Sequence, residues 1–182
     1  NGCCYCFVEE GGERTFISYH GAEYRFEKPW FDALHAADYS AAYLCALEVE
    51  EEGGENLLDF LEAHPDLPVW FAPGPRLAAL REERFRRCLA LHPTLHLNAG
   101  ESLETARRCG KTAATPEEAA RALHAVTGSP VIVTLGGDGC IYETGTERGH
   151  IPPVETQVAD TIGAGDAHVG ALMARRALGD DW

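Results

Sequence analysis

Short β-prone runs and longer stretches of helical periodicity alternate along the chain. Two apolar runs, residues 3–9 and 14–19, flank Glu10-Gly11-Gly12-Glu13 and predict a β-hairpin with glycine at its turn. The pattern then predicts strands at 39–47, 69–72, 94–97 and 131–135 and helices at 56–63, 76–91, 101–109 and 116–126. This alternation predicts a mostly parallel sheet with helices on both faces, in which ligands gather at the carboxyl ends of the strands.

A glycine-containing run, Asp160-Thr161-Ile162-Gly163-Ala164-Gly165-Asp166, precedes the last apolar, helix-favouring stretch. Free backbone N–H groups should therefore crowd a helix start beside one carboxylate. The amides and the positive helix end suit an anion whose charge grows during transfer, and Asp166 suits proton removal from an attacking hydroxyl. An ordinary capped helix, with Asp160 or Thr161 as the cap, explains the same residues equally well.

Two further motifs directly follow predicted strands. Asn98-Ala99-Gly100-Glu101 opens a predicted helix, so Asn98 and Glu101 can face one crevice, although a helix cap accounts for both. The other motif, Thr134-Leu135-Gly136-Gly137-Asp138-Gly139, is sufficiently explained as a glycine-rich turn between two strands. It lacks the lysine of a P-loop and the helix of a dinucleotide-binding fingerprint.

These three motifs, in this order and spacing, resemble those of the PfkB, or ribokinase-like, family of carbohydrate kinases. The resemblance implies an α/β fold: a ribokinase-like three-layer α/β/α sandwich with a mostly parallel sheet. It also implies the remnant of a small β lid at residues 1–27 and a partial kinase core at 28–182. Family members are generally longer, so we expect a fragment or a polypeptide whose ends are left out.

The resemblance further implies a role for each motif residue. Asp166 is the expected catalytic base, and the expected anion hole is Gly163, Ala164 and Gly165. Nucleotide contacts are expected from Asn98, Thr134, Gly136 and Gly139. Mg²⁺ is expected near Glu101 through water, and K⁺ is expected at Asp160 and Ile162.

The implied activity is transfer of a phosphoryl group from ATP to a sugar or sugar-like hydroxyl. Two alternatives stay open: a nucleoside kinase of the same fold, and an inactive ribokinase-like fragment that acts as an interaction module. The lid also suggests a homodimer. One departure from the family pattern is Glu23, which stands where many relatives have asparagine after Gly-Ala.

Several conspicuous residues have simpler explanations. Glu48 falls where relatives carry a glutamate near the sugar, yet it belongs to an acidic run, and a solvated acidic face is favoured. His168 is expected to pack or to lie at the rim of the site. Interleaved acids and arginines predict an exposed, salt-bridged helix face; its arginines are Arg76, Arg81, Arg84, Arg86 and Arg87.

Composition narrows the classes of partner. The net charge of −14 over 182 residues argues against a nucleic-acid or anionic membrane surface. No apolar run approaches the roughly 18 residues that cross a bilayer, and the N-terminus lacks the basic start of a secretory signal, so a cytoplasmic location is expected. Seven cysteines, an odd number, fit reduced thiols better than a disulfide framework.

Overall fold

The computed structural model describes residues 1–9 and 14–182 and contains two separate sheets. In the smaller sheet, β1 (Cys3–Val8) and β2 (Arg14–Tyr19) pair antiparallel, with Cys3 opposite Tyr19. Both strands were predicted, and the predicted turn at residues 10–13 lies outside the described residues. We call this pair of strands the hairpin. The division of the chain at residue 27 stays a prediction.

The larger sheet has six strands in the order of the chain. They are β3 (Ala42–Cys45), β4 (Val69–Ala72), β5 (Thr94–Asn98), β6 (Val131–Thr134), β7 (Cys140–Glu143) and β8 (Arg148–Ile151). The pairs from β3 to β6 are parallel, whereas β7 and β8 add antiparallel. This difference follows the connections, because parallel neighbours need a crossover while antiparallel neighbours can be joined by a short turn. The predicted mostly parallel sheet is confirmed.

Helices cover both faces of this sheet, as predicted, but unequally. They are α1 (Lys28–Asp32), α2 (Ala46–Glu50), α3 (Gly54–Ala63), α4 (Glu82–Ala90), α5 (Ala99–Arg108), α6 (Pro116–Thr127) and α7 (Ala164–Ala177). A large core that includes Leu58, Phe85 and Leu123 joins α2 to α6 to one face. On the other face, Val169 of α7 packs against Trp70 and Ile132. The result is the predicted three-layer α/β/α sandwich.

The pleat of the central strands decides which side chains reach α7. In β5, Leu95 and Leu97 are buried in the large core, so His96 and Asn98 point to the opposite face. The same alternation in β6 buries Val131 and Val133 and directs Thr134 towards α7. Polar residues at the carboxyl ends of both strands therefore lie on the α7 side.

Two predicted elements are wrong in extent. The strand predicted at 39–47 ends at Cys45, because Ala46 begins α2 and the Glu48 carboxylate accepts a hydrogen bond from the Cys45 amide at 2.9 Å. The helix predicted at 76–91 is divided into a 3₁₀ segment, Gly74–Ala79, and α4, with extended backbone at Leu80 between them. At both breaks the spacing of apolar residues continues without interruption, and such spacing alone does not locate the boundary of an element.

The predicted exposed arginine face is wrong for Arg84. This side chain is buried, and its guanidinium donates hydrogen bonds to the carbonyls of Val49, Glu50 and Glu51 at the end of α2. Its Nε donates to the Glu55 carboxylate at 2.6 Å. Arg84 thus donates to carbonyls at the end of α2, one of which, that of Glu51, also accepts the Gly54 amide, and it ties α2, α3 and α4 together.

Replacing Arg84 by methionine should remove the side-chain donor of the Val49 and Glu50 carbonyls, while Glu55 keeps its contact with Arg87. We expect Arg84→Met to lower the free energy of unfolding by about 3 kcal/mol, measured by chemical denaturation. The matched control is Arg86→Met, since Arg86 is exposed and forms an ion pair with Glu82 one turn away. That change should cost less than about 1 kcal/mol. Equal losses in the two variants would contradict the capping role of Arg84.

Candidate active site

The start of α7 leaves backbone amides facing open space. Gly163 adopts a left-handed conformation, with φ of 74°, and α7 begins at the next residue. The Ala164 amide donates to the Thr161 carbonyl at 3.2 Å and so closes the turn that enters the helix. The described residues provide no backbone acceptor for the amides of Gly165 and Asp166. A Cβ placed on Gly163 or Gly165 would meet no atom within 4 Å, so the space beside them is open.

A cavity of about 390 Å³ brings the last two sequence motifs together. Thr134, Gly136 and Gly139 line one side of it, and Ala164 and Gly165 line another. The cavity thus lies between the end of β6 and the first turn of α7. Asp166, the next residue along α7, is exposed.

Asn98 and Glu101 form a reciprocal cap at the start of α5. The Glu101 amide donates to the Asn98 side chain at 2.8 Å, and the Asn98 amide donates to the Glu101 carboxylate at 3.0 Å. Burial raises the pKa of Glu101, and the bond from the Asn98 amide partly opposes this rise. Asn98 is also paired in register with Thr134, so the cap adjoins the strand end that lines the cavity.

The charges of three carboxylates act on the Cys45 thiol at the carboxyl end of β3. Burial is the main reason that the pKa of the Cys45 thiol is raised to about 11; a hydrogen bond with Tyr43 lowers it, and the negative charges of Glu48, Asp166 and Glu101 add to the rise. The charges of Asp166 and Glu101 therefore both act on this thiol. The solvated position predicted for Glu48 is wrong, because this residue is half-buried and caps α2.

Asp160 already has a cationic partner. Its Oδ1 accepts hydrogen bonds from the Ile162 amide at 2.8 Å and from the Arg14 guanidinium at 3.4 Å. Arg14 also donates to the Thr161 hydroxyl. A monovalent cation at the same carboxylate would face this positive charge, so these residues do not fit K⁺ in the arrangement observed.

A histidine pair that the sequence did not predict connects α7 to the sheet. His96 Nε2 and His168 Nδ1 are 2.9 Å apart, and His168 also lines the cavity. Burial lowers the pKa of His96 to about 4, with a smaller contribution from the charge of His168, and burial also lowers the pKa of His168. The available sequence signal was the position of His96 between two core leucines, which places its ring on the α7 side.

The donor set suits magnesium held largely by water and phosphate. Among residues 1–9 and 14–182, no group of three or more His, Cys, Asp and Glu side chains is close enough to enclose a metal ion. One half-buried carboxylate, Glu101, next to a cavity is compatible with Mg²⁺, which commonly keeps several waters and uses one or two carboxylates plus substrate phosphates.

Among the helices that the structure describes, none is both long enough and apolar enough to span a membrane.

A family model described as pfkB family carbohydrate kinase matches residues 1–182. The chain belongs to the pfkB family. This pfkB-family chain is 34% identical over 179 residues to an uncharacterised sugar kinase of Escherichia coli K12, YegV, a match that covers 98% of this chain and 56% of that protein. The chain thus spans about half the length of that relative.

Solved kinases confirm the ribokinase-like fold. A Burkholderia thailandensis nucleoside kinase bound to inosine superposes with a TM-score of 0.74 at 21% identity, covering 100% of this pfkB-family chain and 56% of that one. A putative ribokinase II of Escherichia coli, solved with ATP and Mg²⁺, gives a TM-score of 0.73 at 21% identity, with coverages of 97% and 58%. Both are similar in fold to the present chain.

The turn after β6 excludes a side chain at Gly139 but has room for one at Gly137. Gly139 has φ of 89°, and a Cβ there would lie 2.0 Å from the Ile151 carbonyl oxygen, whereas a Cβ on Gly137 would meet nothing within 4 Å. Gly139→Ala should therefore lower the free energy of unfolding by more than about 2 kcal/mol. Gly137→Ala should change it by less than about 0.5 kcal/mol in the same denaturant titration. Similar values for both would contradict this geometry.

The buried histidine should make stability depend on pH. Because the pKa of His96 is about 4 in the fold against about 6.5 in an unfolded chain, its contribution is complete above pH 6.5 and is lost as the pH falls towards 4. The advantage of wild type over His96→Phe should shrink by roughly 3 kcal/mol across that window. Unfolding titrations at several pH values measure it, with the exposed His35→Phe as control. A pH-independent difference for His96→Phe would contradict the burial of a neutral imidazole.

Proposed function

We propose that this chain contains the catalytic core of a kinase that transfers the γ-phosphoryl group of ATP to a hydroxyl of a sugar or sugar-like acceptor. The observation that carries this proposal is the cavity at which the end of β6 meets the first turn of α7. Amides without a backbone acceptor, a positive helix end and one exposed carboxylate then converge where phosphoryl transfer needs them. Membership of a carbohydrate kinase family supports the same reaction.

Asp166 is the proposed general base. Its carboxylate stands in the first turn of α7, directly after the open Gly165 amide, and its side chain is exposed. As the acceptor oxygen attacks the γ-phosphorus, Asp166 takes the hydroxyl proton, which keeps the attacking oxygen nucleophilic. A carboxylate next to the anion hole is suitably placed for this role, because the proton leaves the acceptor oxygen at the point where that oxygen binds the phosphoryl group.

The backbone of Gly163, Ala164 and Gly165 is the proposed anion hole. Negative charge that collects on the phosphoryl oxygens during transfer is stabilised by amides that are fixed before the reaction begins. The Gly165 amide is the best-placed donor of the three, because Ala164 already donates to Thr161. The left-handed conformation of Gly163 supplies the sharp entry into the helix that aims these groups.

Nucleotide contacts are proposed for Asn98, Thr134, Gly136 and Gly139, which border or line the same cavity. Glu101 would orient water bound to Mg²⁺, an ion that neutralises phosphate charge when it is present. The solved kinase that contains ATP and Mg²⁺ has the same fold and supports this assignment. K⁺, expected at Asp160 and Ile162, is not part of this proposal, because the Arg14 guanidinium contacts the same carboxylate.

The hairpin is proposed to act as a lid over the acceptor. Its contact with the entry to α7, through Arg14 and Asp160, supports a position near the reacting groups. A homodimer formed through the lid and a cytoplasmic location both remain predictions. The structure does not describe the side chain of Glu23. Nucleosides stay candidate acceptors because the fold is shared with a kinase solved with inosine.

The base assignment is tested by Asp166→Asn, which keeps the shape of the side chain and removes its ability to accept a proton. We expect kcat for ADP release to fall by at least about 10²-fold, with ATP affinity nearly unchanged. The purified protein should be assayed with ribose, fructose, nucleosides and keto-deoxy sugars. The control is Asp66→Asn, an exposed change in the turn before β4 that should leave turnover unaltered.

Two results would count against the proposal. Full turnover in Asp166→Asn would overturn the role of Asp166 as base. A wild-type protein that binds ATP but releases no acceptor-dependent ADP with any compound in the panel would overturn the kinase assignment and favour an interaction module.

A further inference from the structure

One ion pair crosses from the hairpin to the entry of α7 and has no part in the chemistry proposed above. Arg14 is the first residue of β2, and its Nη2 donates to Asp160 Oδ1 at 3.4 Å and to the Thr161 hydroxyl. The Arg14 side chain is only 27% exposed, so the arginine is largely enclosed at this contact. Its Nε is buried and has no hydrogen-bond partner among the described residues.

The two residues that Arg14 contacts build the turn that leads into the anion hole. Asp160 accepts the Ile162 amide, and the Thr161 carbonyl accepts the Ala164 amide. Gly163, between these bonds, takes the left-handed conformation that starts α7. A cation that holds Asp160 and Thr161 together therefore also fixes the direction of the amides that follow.

The chemistry of this contact differs from that of a bound monovalent ion. A guanidinium is charged at every pH at which proteins fold, and it offers directed donors. Asp160 receives one of those donors, and the Ile162 N–H is also directed at Asp160. The carboxylate that would have to attract a monovalent ion is thus already neutralised by a side chain of the same chain.

We propose that Arg14 takes the place of a monovalent cation at Asp160: it neutralises this carboxylate, fixes the turn before Gly163, and links that turn to the hairpin. Arg14 is a positioning residue, since it touches the loop and not the reacting atoms. Its effect on turnover rests on the proposed kinase function. Its effect on cation dependence and on stability does not, because both follow from the ion pair itself.

The test compares wild type with Arg14→Met in KCl and in choline chloride at equal ionic strength. Wild type should show the same thermal unfolding midpoint in both salts and less than a twofold difference in kcat. Arg14→Met frees Asp160, so K⁺ should raise its midpoint by several degrees and its kcat by about tenfold relative to choline, an effect of the size that one replaced charge contact produces. Arg14→Lys keeps the charge and should remain independent of K⁺.

The matched control is Arg25→Met, which removes an equal charge from an exposed position in the same 1–27 region and should behave as wild type. A wild-type midpoint that rises with K⁺, or an Arg14→Met variant that responds to salt as Arg25→Met does, would overturn the proposal. If Arg14→Met fails to fold, the polar Arg14→Gln takes its place and should show the same gain from K⁺, and the lack of that gain would overturn the proposal. If no acceptor is phosphorylated, the midpoints still decide the role of Arg14.

Discussion

The pleat of β5 and β6 is the constraint on which the site depends. Leucines and valines at alternate positions are required by the large core, and this requirement leaves the intervening positions to the opposite face. A shift of one residue in either strand would exchange the two sets. The polar residues at the ends of these strands therefore face α7 because of core packing, independently of any catalytic role. Only at that end does the sheet meet the amides of α7.

Structural roles and the proposed chemical roles are compatible in this site. Asn98 and Glu101 satisfy each other's backbone amides, and these bonds fix the Glu101 carboxylate beside the end of β5, whose Asn98 pairs with Thr134. Gly163 supplies a turn conformation and, by the same turn, directs the first amides of α7. A residue that caps a helix is fixed in place, which is what a binding group needs.

The sequence predicted elements with strong local signals and missed contacts between distant residues. Residues 69–72 are β-prone and bounded by Pro68 and Pro73, and β4 has those limits; α6 begins after Thr115, whose side chain caps it. By contrast, the sequence does not distinguish Arg84 from the other arginines of a charged helix, because its burial results from contacts with α2 and α3. The same holds for His96 with His168 and for Arg14 with Asp160, pairs separated by 72 and 146 residues.

The attachment of α7 has a dynamic consequence. Val169 is the one buried residue of α7, with Leu172 and Met173 partly buried beside it, while α5 and α6 each bury several side chains. A helix held by so little apolar area can leave the sheet at a lower free energy than global unfolding requires. Slow-exchanging amide protons should therefore be concentrated in the opposite layer, and a ligand in the cavity would increase the order of α7 in particular.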